Sequence, residues 1–284
     1  MSITMNVDLL IALIHEYGLS PYQSEILRSV KPAVFLNLEP LRQGEMGKAE
    51  IGQSRLGGVP DLPISMGWPR SARGDYYLCF ILQINCAQLP HFPESPFPQR
   101  GMLYLFEGGG DDSSDQILLW KGTELLQPAT APSSEKMTSD WYEEVVPHAL
   151  SFALGPDIPR WATDDFYELC NGLEIDEGLL DDVGRALSKK CVGKLLGHAA
   201  GIGHDPRQDA YVVREVDAKL LYNYENRKTV DMTPARRWQN LLTVDSNRAA
   251  DLWFGDAGYL QVLIREDDLS RMDLSRAYVV LESS

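Results

Sequence analysis

The chain has 284 residues, of which 44% are hydrophobic, so it can bury a large core as one large domain or two small ones. Its 41 acidic residues outnumber 26 basic ones, and the net charge of −15 argues against nucleic acid and anionic membrane surfaces as partners. No run of about 18 uncharged apolar residues exists and the N-terminus lacks the basic region of a signal peptide, so we expect a cytoplasmic protein without a membrane span.

The four cysteines are sparse for a chain of this length and show no CxxC spacing. Sparse, unpaired cysteines are typical of proteins from reducing compartments. We therefore expect four free thiols, at Cys79, Cys86, Cys170 and Cys191.

Two helices are predicted at the N-terminus. Residues 6–17 carry apolar side chains at helical spacing, and Gly18 follows as a C-cap. Ser20, Pro21 and Gln23 then supply an N-cap, a proline at the first helical position and a capping-box glutamine. We interpret residues 1–31 as a helical cap on a body that is rich in sheet.

Residues 32–155 are predicted to form a first block of sheet. Its runs of aromatic and β-branched residues are bounded by glycine and proline turns, which is typical of buried strands. The acidic turn with Asp111, Asp112 and Asp115 lacks the glutamate and the spacing of a calcium loop, which favours a solvated hairpin over a cation site. The strands are expected at 33–38, 77–85, 101–106, 116–120, 141–146 and 149–154.

Residues 156–192 are predicted to be an acidic helical insert. Eight acids and no lysine or arginine occur in residues 164–182, among leucines and valines that form apolar stripes. This pattern favours two helices with exposed acidic faces. A docking face for a basic partner is the functional alternative, although a solvated face is the commoner explanation of such charge runs.

Residues 193–284 are predicted to form a second block of sheet that repeats the first. Residues 194–197 resemble 54–57, and the strand-like runs 238–245 and 258–264 resemble 80–85 and 101–106. The repeated order of glycine turn, polar-tipped strand, glycine and strand indicates an internal duplication. Because strand follows strand, we expect one α+β domain over residues 1–284 with a mostly antiparallel sheet.

Several short motifs resemble those of a known family. The first block has a Gly-Gly-x-Pro-x-Leu-Pro turn at 57–63, then Trp68-Pro69, Gln83-Ile84-Asn85 and a Gly-x-Leu strand start at 101–103. The second block has Trp238, Leu241-Leu242, Asp245 and Gly255-Asp256-Ala257-Gly258 before an apolar strand. From near residue 20 to its C-terminus the chain resembles the YwqG-like family, known as domain of unknown function 1963.

One departure from that family lies in the second block. Members carry a Gly-x-Pro-x-x-x-Gln turn, whereas this chain has residues 197–204 without a proline, which is displaced to Pro206. A role for this turn therefore does not carry over. The resemblance implies a fold and brings no settled activity.

The motifs of common enzymes are missing from the sequence. It has no phosphate loop, no GxGxxG fingerprint and no Gly-x-Ser-x-Gly, so no cofactor is expected. His198 and His204 flank a glycine turn next to Asp205, and a metal would need a further ligand such as Asp209 or Asp245. That spacing is not diagnostic, so we predict no metal site.

We predict a ligand site only as a hypothesis. If the two blocks pack about a pseudo-two-fold axis, polar strand ends and aromatic rings would converge at their seam, as in small-ligand sites. The competing interpretation, which we favour, is that these side chains only tie turns to strands, with Asp256 in an Asx turn. The candidate ligand-binding residues are Trp68, Gln83, Asn85, Asp245, Trp253 and Asp256.

The function expected from the sequence is a non-catalytic binding or protein-interaction module, with a protein or a small molecule as partner. This follows from the missing catalytic motifs and the acidic, loop-rich surface. One alternative is a hydrolase-type enzyme that uses Asp245 and Asp256, with His204, for acid–base chemistry. Another is a protein that binds a small ligand or metal ion in the same cleft.

Overall fold

A ten-stranded antiparallel sheet organises the protein. A computed structural model describes residues 5–44, 49–108, 115–138 and 145–283. The strands lie in the order β12-β11-β10-β9-β1-β8-β2-β4-β5-β6, and β3 and β7 form a separate two-stranded sheet. The expected α+β class is therefore confirmed.

The described residues form twelve strands and seven α-helices. The strands are β1 (Lys31–Glu39), β2 (Arg55–Leu56), β3 (Asp61–Pro63), β4 (Cys79–Asn85), β5 (Met102–Glu107), β6 (Gln116–Trp120), β7 (Leu126–Pro128), β8 (His148–Asp157), β9 (Gly193–Leu196), β10 (Trp238–Asp245), β11 (Tyr259–Arg265) and β12 (Tyr278–Glu282). The helices are α1 (Asp8–Glu16), α2 (Gln23–Arg28), α3 (Asp164–Leu173), α4 (Glu177–Ser188), α5 (Pro206–Tyr211), α6 (Tyr224–Arg227) and α7 (Glu266–Arg271).

The centre of the sheet joins distant parts of the chain. Strand β1 pairs with β8 on one side and with β9 on the other, so that Phe35 lies opposite both Ala153 and Lys194. Outward from the β1–β8 pair, β9 to β12 lie on one side and β2, β4, β5 and β6 on the other. This order is compatible with two similar blocks, and the internal duplication itself stays a prediction.

One face of the sheet buries an apolar core to which both blocks contribute. Val34 of β1, Leu103 of β5 and Val262 of β11 belong to the same buried cluster. Side chains alternate between the two faces of a strand, so the neighbours of these residues point to the opposite, outer face. There the small β3–β7 sheet covers the first block, while helices and loops cover the second.

The helices agree in place with the sequence and differ in detail. Helices α1, α3 and α4 form where amphipathic spacing predicts them, and Gly18 has a φ of +74° just beyond α1. The predicted capping box of the second helix is wrong, because a 3₁₀ turn over Ser20–Tyr22 precedes α2 and no side chain caps either element. The side chain of Gln23 instead contacts His15, with 2.8 Å between Oε1 and Nε2.

Two predicted features fall partly or wholly outside the described residues. Asp111 and Asp112 lie outside them, and Asp115 accepts a 2.6 Å hydrogen bond from the amide of Gly108. Of the strand predicted at 141–146, residues 141–144 are likewise not described. Val145 and Val146 are not in a strand.

Candidate functional site

The structure does not bring the six predicted ligand-binding residues together. Gln83 and Asn85 lie on β4, Asp245 ends β10, and four strands separate β4 from β10. At about 4.8 Å per strand, β4 and β10 lie roughly 24 Å apart. Five successive antiparallel pairings also give β4 and β10 opposite directions, so Asn85 and Asp245 lie at opposite ends of the sheet.

Gln83 belongs to a buried hydrogen-bonded group that we call the Gln83 cluster: Arg55, Asp61, Gln83 and Tyr104. Gln83 Oε1 accepts from the amide of Asp61 at 2.7 Å, and Nε2 donates to Asp61 Oδ2 at 3.0 Å. The Tyr104 hydroxyl donates to the Asp61 carbonyl at 2.7 Å, and Arg55 forms an ion pair with the Asp61 carboxylate. This cluster ties β2, β3, β4 and β5 together on the outer face.

The side chains of Asn85 and Trp68 also form hydrogen bonds with backbone groups. Asn85 Nδ2 donates to the Gly52 carbonyl at 2.9 Å, and its Oδ1 caps the following 3₁₀ turn. Trp68 Nε1 donates to the Leu78 carbonyl at 2.8 Å, and its ring meets that of Phe106 edge-on. These contacts join turns to strands, as the competing interpretation of these residues expects.

Trp253 and Asp256 lie on an exposed loop between β10 and β11. Trp253 is 47% exposed, and its Nε1 donates to Asp251 Oδ1 at 2.9 Å. The amide of Asp256 donates to Ser283 Oγ at 2.8 Å. The predicted Asx turn is wrong, because within the described part of the chain the Asp256 carboxylate accepts no hydrogen bond.

The two histidines of the weighed metal site have separate partners. His198 is buried, with Nε2 2.9 Å from the Ser29 carbonyl and Nδ1 3.7 Å from Asp165 Oδ2. His204 Nε2 lies 2.8 Å from Asp209 Oδ2. Among residues 5–44, 49–108, 115–138 and 145–283, no group of three or more His, Cys, Asp or Glu side chains is placed to hold a metal ion.

Asp245 and Asp256 are the two acids considered for acid–base chemistry. Asp245 lines a cavity that Asp256 does not reach. This cavity, the Asp245 cavity, has a volume of about 110 Å³ on the outer face of the second block. Strand register builds it, since Asp245 lies opposite Tyr259 and Thr243 lies opposite Lys194. Its lining residues are Phe35, Arg160, Ser188, Gly193, Lys194, Ala200, Thr243, Asp245 and Tyr259.

A glycine allows the strands to come this close. Gly193 has a φ of +154°, and a Cβ there would lie 2.1 Å from the carbonyl oxygen of Thr243. Any other residue at this position would push β9 and β10 apart. Gly193 is thus required for the register that places Lys194 beside Thr243.

The Asp245 cavity contains buried charges and unpaired polar atoms. Lys194 forms an ion pair with the fully buried Asp157, whose Oδ2 also accepts from the His198 amide at 2.7 Å. The hydroxyl of Tyr259 in the cavity lining is buried and has no hydrogen-bond partner among the described residues, and the same holds for Oδ1 of Asp157, which does not itself line the cavity. Unpaired buried polar atoms are uncommon in proteins and call for an explanation, such as a bound molecule.

Burial shifts the pKa values of these groups. It raises the pKa of Asp245, although Arg160 and Lys194 act in the opposite sense. It also lowers the pKa of Lys194, against the attraction of Asp157. A carboxyl group with a raised pKa therefore shares the cavity lining with two cationic side chains.

A second, larger cavity lies where the two blocks meet. We call it the Lys31 cavity; its volume is about 300 Å³. Loop 92–96 of the first block forms one wall, and β10 and α7 of the second block form the other. The lining residues are Lys31, Pro32, Phe92, Glu94, Pro96, Leu196, Gly197, Gln239, Asn240, Glu266, Leu269 and Ser270.

Irregular backbone borders the Lys31 cavity. Leu196 has a φ of +60°, and the register of β10 shifts between Asn240 and Leu242. The buried Asn240 holds both features together, because its Nδ2 donates to the Leu196 carbonyl at 2.6 Å. Positive φ at a branched residue is costly, and both bulges and strained residues concentrate at functional sites.

Lys31 places an amino group at the edge of this cavity. Its Nζ lies 3.4 Å from Gln239 Oε1 and 3.8 Å from Asp165 Oδ2. Burial lowers the pKa of Lys31, while Asp165 opposes this effect. Asp165 also receives two 3.2 Å hydrogen bonds from Arg207, so the amine stands beside a carboxylate that is already engaged.

The comparison with known families agrees with the resemblance that the sequence motifs indicate. The model for Domain of unknown function (DUF1963) matches residues 54–282. The chain belongs to the DUF1963 family. A search of curated proteins finds no match. In this DUF1963 protein no described helix has both the length and the apolar character needed to cross a membrane.

The sequence does not predict most of the residues that line the two cavities. The predicted ligand-binding residues do not include Lys31, Arg160, Lys194 and Tyr259. Lys194 offered a signal, because it is a lone charge within the apolar run 192–196. A lysine in a buried strand needs a buried acid, and that acid, Asp157, lies 37 residues earlier in the chain.

Proposed function

We propose that this DUF1963 protein is a non-catalytic binding protein that takes a small organic ligand in the Lys31 cavity. The observation that carries the proposal is the cavity itself, with about 300 Å³ and walls from both sheet blocks. Ligand pockets begin at roughly this volume and combine apolar walls with a few polar groups. Pro32, Phe92 and Leu269 supply the apolar walls here.

The polar groups at the cavity edge favour an amphipathic ligand. Lys31 and Gln239 stand on one side, and Glu94 and Ser270 are exposed. A ligand could bury an apolar body against Phe92 and direct polar groups to this edge. Such an arrangement provides orientation without any nucleophile and base in contact, which is why binding is proposed before catalysis.

A thermal-shift screen of metabolites, followed by calorimetry, tests the proposal. Ser270→Trp places a large ring at the exposed edge of the cavity, so a ligand that stabilises the wild type should no longer bind. Ser24→Trp, at an exposed position on α2 that does not line the cavity, is the matched control and should bind normally. Ligands that bind Ser270→Trp as tightly as the wild type would place the site elsewhere.

One observation supports a second candidate, the hydrolase-type enzyme considered from the sequence. Burial raises the pKa of Asp245, which is what a general acid needs. Asp256 does not line that cavity, so the proposed pair of carboxylates reduces to Asp245 beside Tyr259. Turnover of ester or phosphoester substrates that disappears in Asp245→Asn would favour this candidate over simple binding.

We also infer a cytoplasmic location and a place among YwqG-like proteins. The four cysteines, all among the described residues, form no disulfide with one another, which supports a reducing compartment. Burial raises the pKa of Cys86, Cys170 and Cys191 to about 11, so these thiols are poorly reactive at neutral pH. Thiol titration of the unfolded, unreduced protein should find four groups.

A further inference from the structure

The Asp245 cavity holds more free hydrogen-bond donors than acceptors. The buried Tyr259 hydroxyl has no hydrogen-bond partner in the part of the chain that the structure describes. Lys194 Nζ contacts Asp157 alone among the described residues, and an ammonium has three N–H groups. Arg160 uses Nη1 on the Gly184 carbonyl at 2.9 Å, which leaves Nη2 and Nε without a protein acceptor in the described ranges.

The cavity lining has fewer free hydrogen-bond acceptors than free donors. Asp245 is the only carboxylate in the cavity lining, and no described residue donates a hydrogen bond to its side chain. The hydroxyl of Thr243 already donates to Asn240 Oδ1 at 3.0 Å. A molecule that matches these walls must therefore accept several hydrogen bonds at once.

The size of the cavity restricts the choice. Its volume of about 110 Å³ is equivalent to roughly four water molecules and is smaller than the ~150 Å³ cavity that holds benzene. A planar carboxylate with a short tail or a tetrahedral phosphate has this size. Both present oxygens to several donors at once, as arginine and lysine recognise them.

We propose that the Asp245 cavity binds a small oxyanion, a carboxylate or a phosphate, through Arg160, Lys194 and the Tyr259 hydroxyl. This site is separate from the Lys31 cavity, so either proposal can be refuted while the other stands.

Charge balance adds a proton to this binding. With Asp245 ionised, the cations Arg160 and Lys194 are matched by Asp157 and Asp245, and an added anion would be in excess. With Asp245 protonated, the cavity carries one positive charge, and the O–H of Asp245 can donate to the anion. Oxyanion affinity should therefore rise as pH falls, in agreement with the raised pKa of Asp245.

Other titratable groups face Asp245 from the surrounding elements. Glu282 on β12 lies opposite Tyr259, and burial raises its pKa to about 7. The remaining groups are Asp157 on β8, Arg160 after β8, Cys191 before β9, Lys194 on β9 and Tyr259 on β11.

Calorimetric titration of the full chain with acetate, and separately with inorganic phosphate, tests the proposal. At least one probe should bind with one-to-one stoichiometry, and acetate affinity should be higher near pH 6 than near pH 8. The acetate and phosphate arms decide which oxyanion the cavity prefers. The absence of saturable binding by both probes would overturn the proposal.

Two variants test whether the binding belongs to this cavity. Tyr259→Phe should weaken the oxyanion about tenfold or more, because it removes a donor to a charged acceptor, yet leave thermal stability unchanged. Tyr104→Phe, in the other block, should leave the affinity unchanged. Equal binding by Tyr259→Phe and wild type would refute the assignment.

Two further variants, Asp245→Asn and Glu282→Gln, test which carboxyl group takes up the proton. Asp245→Asn should remove most of the pH dependence of acetate binding, whereas Glu282→Gln should keep it. The reverse result would show that Glu282, and not Asp245, takes the proton. Ser270→Trp should bind the oxyanion normally, which separates this site from the Lys31 cavity.

Discussion

Two polar groups on the outer face of the sheet, one in each block, use similar residues in different ways. In the Gln83 cluster, Asp61 is bound by Arg55, Gln83 and the amide of Gly52, and the Tyr104 hydroxyl has a carbonyl partner. In the Asp245 cavity, Lys194 forms an ion pair with Asp157. The Tyr259 hydroxyl has no hydrogen-bond partner among the described residues. In the first cluster the Asp61 carboxylate and the Tyr104 hydroxyl are engaged, although Arg55 Nε is buried without a partner among the described residues. The second group leaves a hydroxyl unpaired beside a cavity that can take another molecule.

The difference shows how binding capacity can arise without a catalytic motif. Leaving a buried donor unpaired costs free energy, so a protein keeps one where something else pairs it or where the arrangement is needed. Tyr104 and Tyr259 are both aromatic residues in buried strands. Only the presence or absence of an acceptor beside the hydroxyl distinguishes them.

The largest effect should come from breaking the ion pairs in each block. Lys194→Met leaves the buried Asp157 carboxylate without its cation and with a hydrogen bond from the His198 amide alone, which should cost about 3–5 kcal/mol of unfolding free energy. Arg55→Met should cost less, because Asp61 keeps hydrogen bonds from Gly52 and Gln83. Urea unfolding of both variants measures the difference.

A double variant is the control for this result. Asp157→Asn in the Lys194→Met background removes the uncompensated charge and should recover part of the lost stability. A larger loss in Arg55→Met than in Lys194→Met would contradict the view that the first cluster is the better satisfied one.

The next largest effect is a pH dependence of stability that arises from Glu282 in the second block. Burial raises the pKa of Glu282 to about 7, from roughly 4.3 in an unfolded chain, although the Ile202 amide donates to it at 3.0 Å. Because the folded pKa is the higher one, this group favours folding below pH ~4.3, and that stability is lost as pH rises to ~7. The loss should be on the order of 3–4 kcal/mol.

Glu282→Gln removes this titration. Its unfolding free energy should depend less on pH between about 5 and 8 than that of the wild type, as followed by chemical unfolding at several pH values. Identical pH profiles for the two proteins would show that the carboxyl group titrates normally.

Removing the two tyrosine hydroxyls should separate the blocks directly. Tyr104→Phe loses a buried hydrogen bond to Asp61 and should cost about 1–2 kcal/mol. Tyr259→Phe loses no protein hydrogen bond, so its melting temperature should match or exceed that of the wild type. Similar destabilisation by both substitutions would remove the distinction between a closed cluster and an open cavity.

The smallest effect is expected at Asp256. Its side chain is exposed and accepts no hydrogen bond from the described residues, so Asp256→Ala should change stability by less than about 0.5 kcal/mol. A loss above 1 kcal/mol, measured by thermal unfolding, would indicate the Asx turn that the sequence predicted.

Much of the local structure follows from the sequence. Strands β4, β5, β10 and β11 occur where apolar runs meet glycine turns, and α3 and α4 occur where acids alternate with apolar stripes. The sequence does not predict strand β9, because a strand of four residues that begins at Gly193 is too short to show a period. The seam of the two blocks does contain a cavity, but different residues line it.

The sequence by itself determined the secondary structure of the long elements, the antiparallel α+β class and the family, since these depend on local periodicity and short motifs. Only the tertiary structure decided which strands flank β1, that β4 and β10 run in opposite directions, and that Lys194 meets Asp157. Such pairings depend on register between segments far apart in the chain, which packing of the whole sheet selects. An unpaired hydroxyl such as that of Tyr259 becomes visible only once all its neighbours are in place.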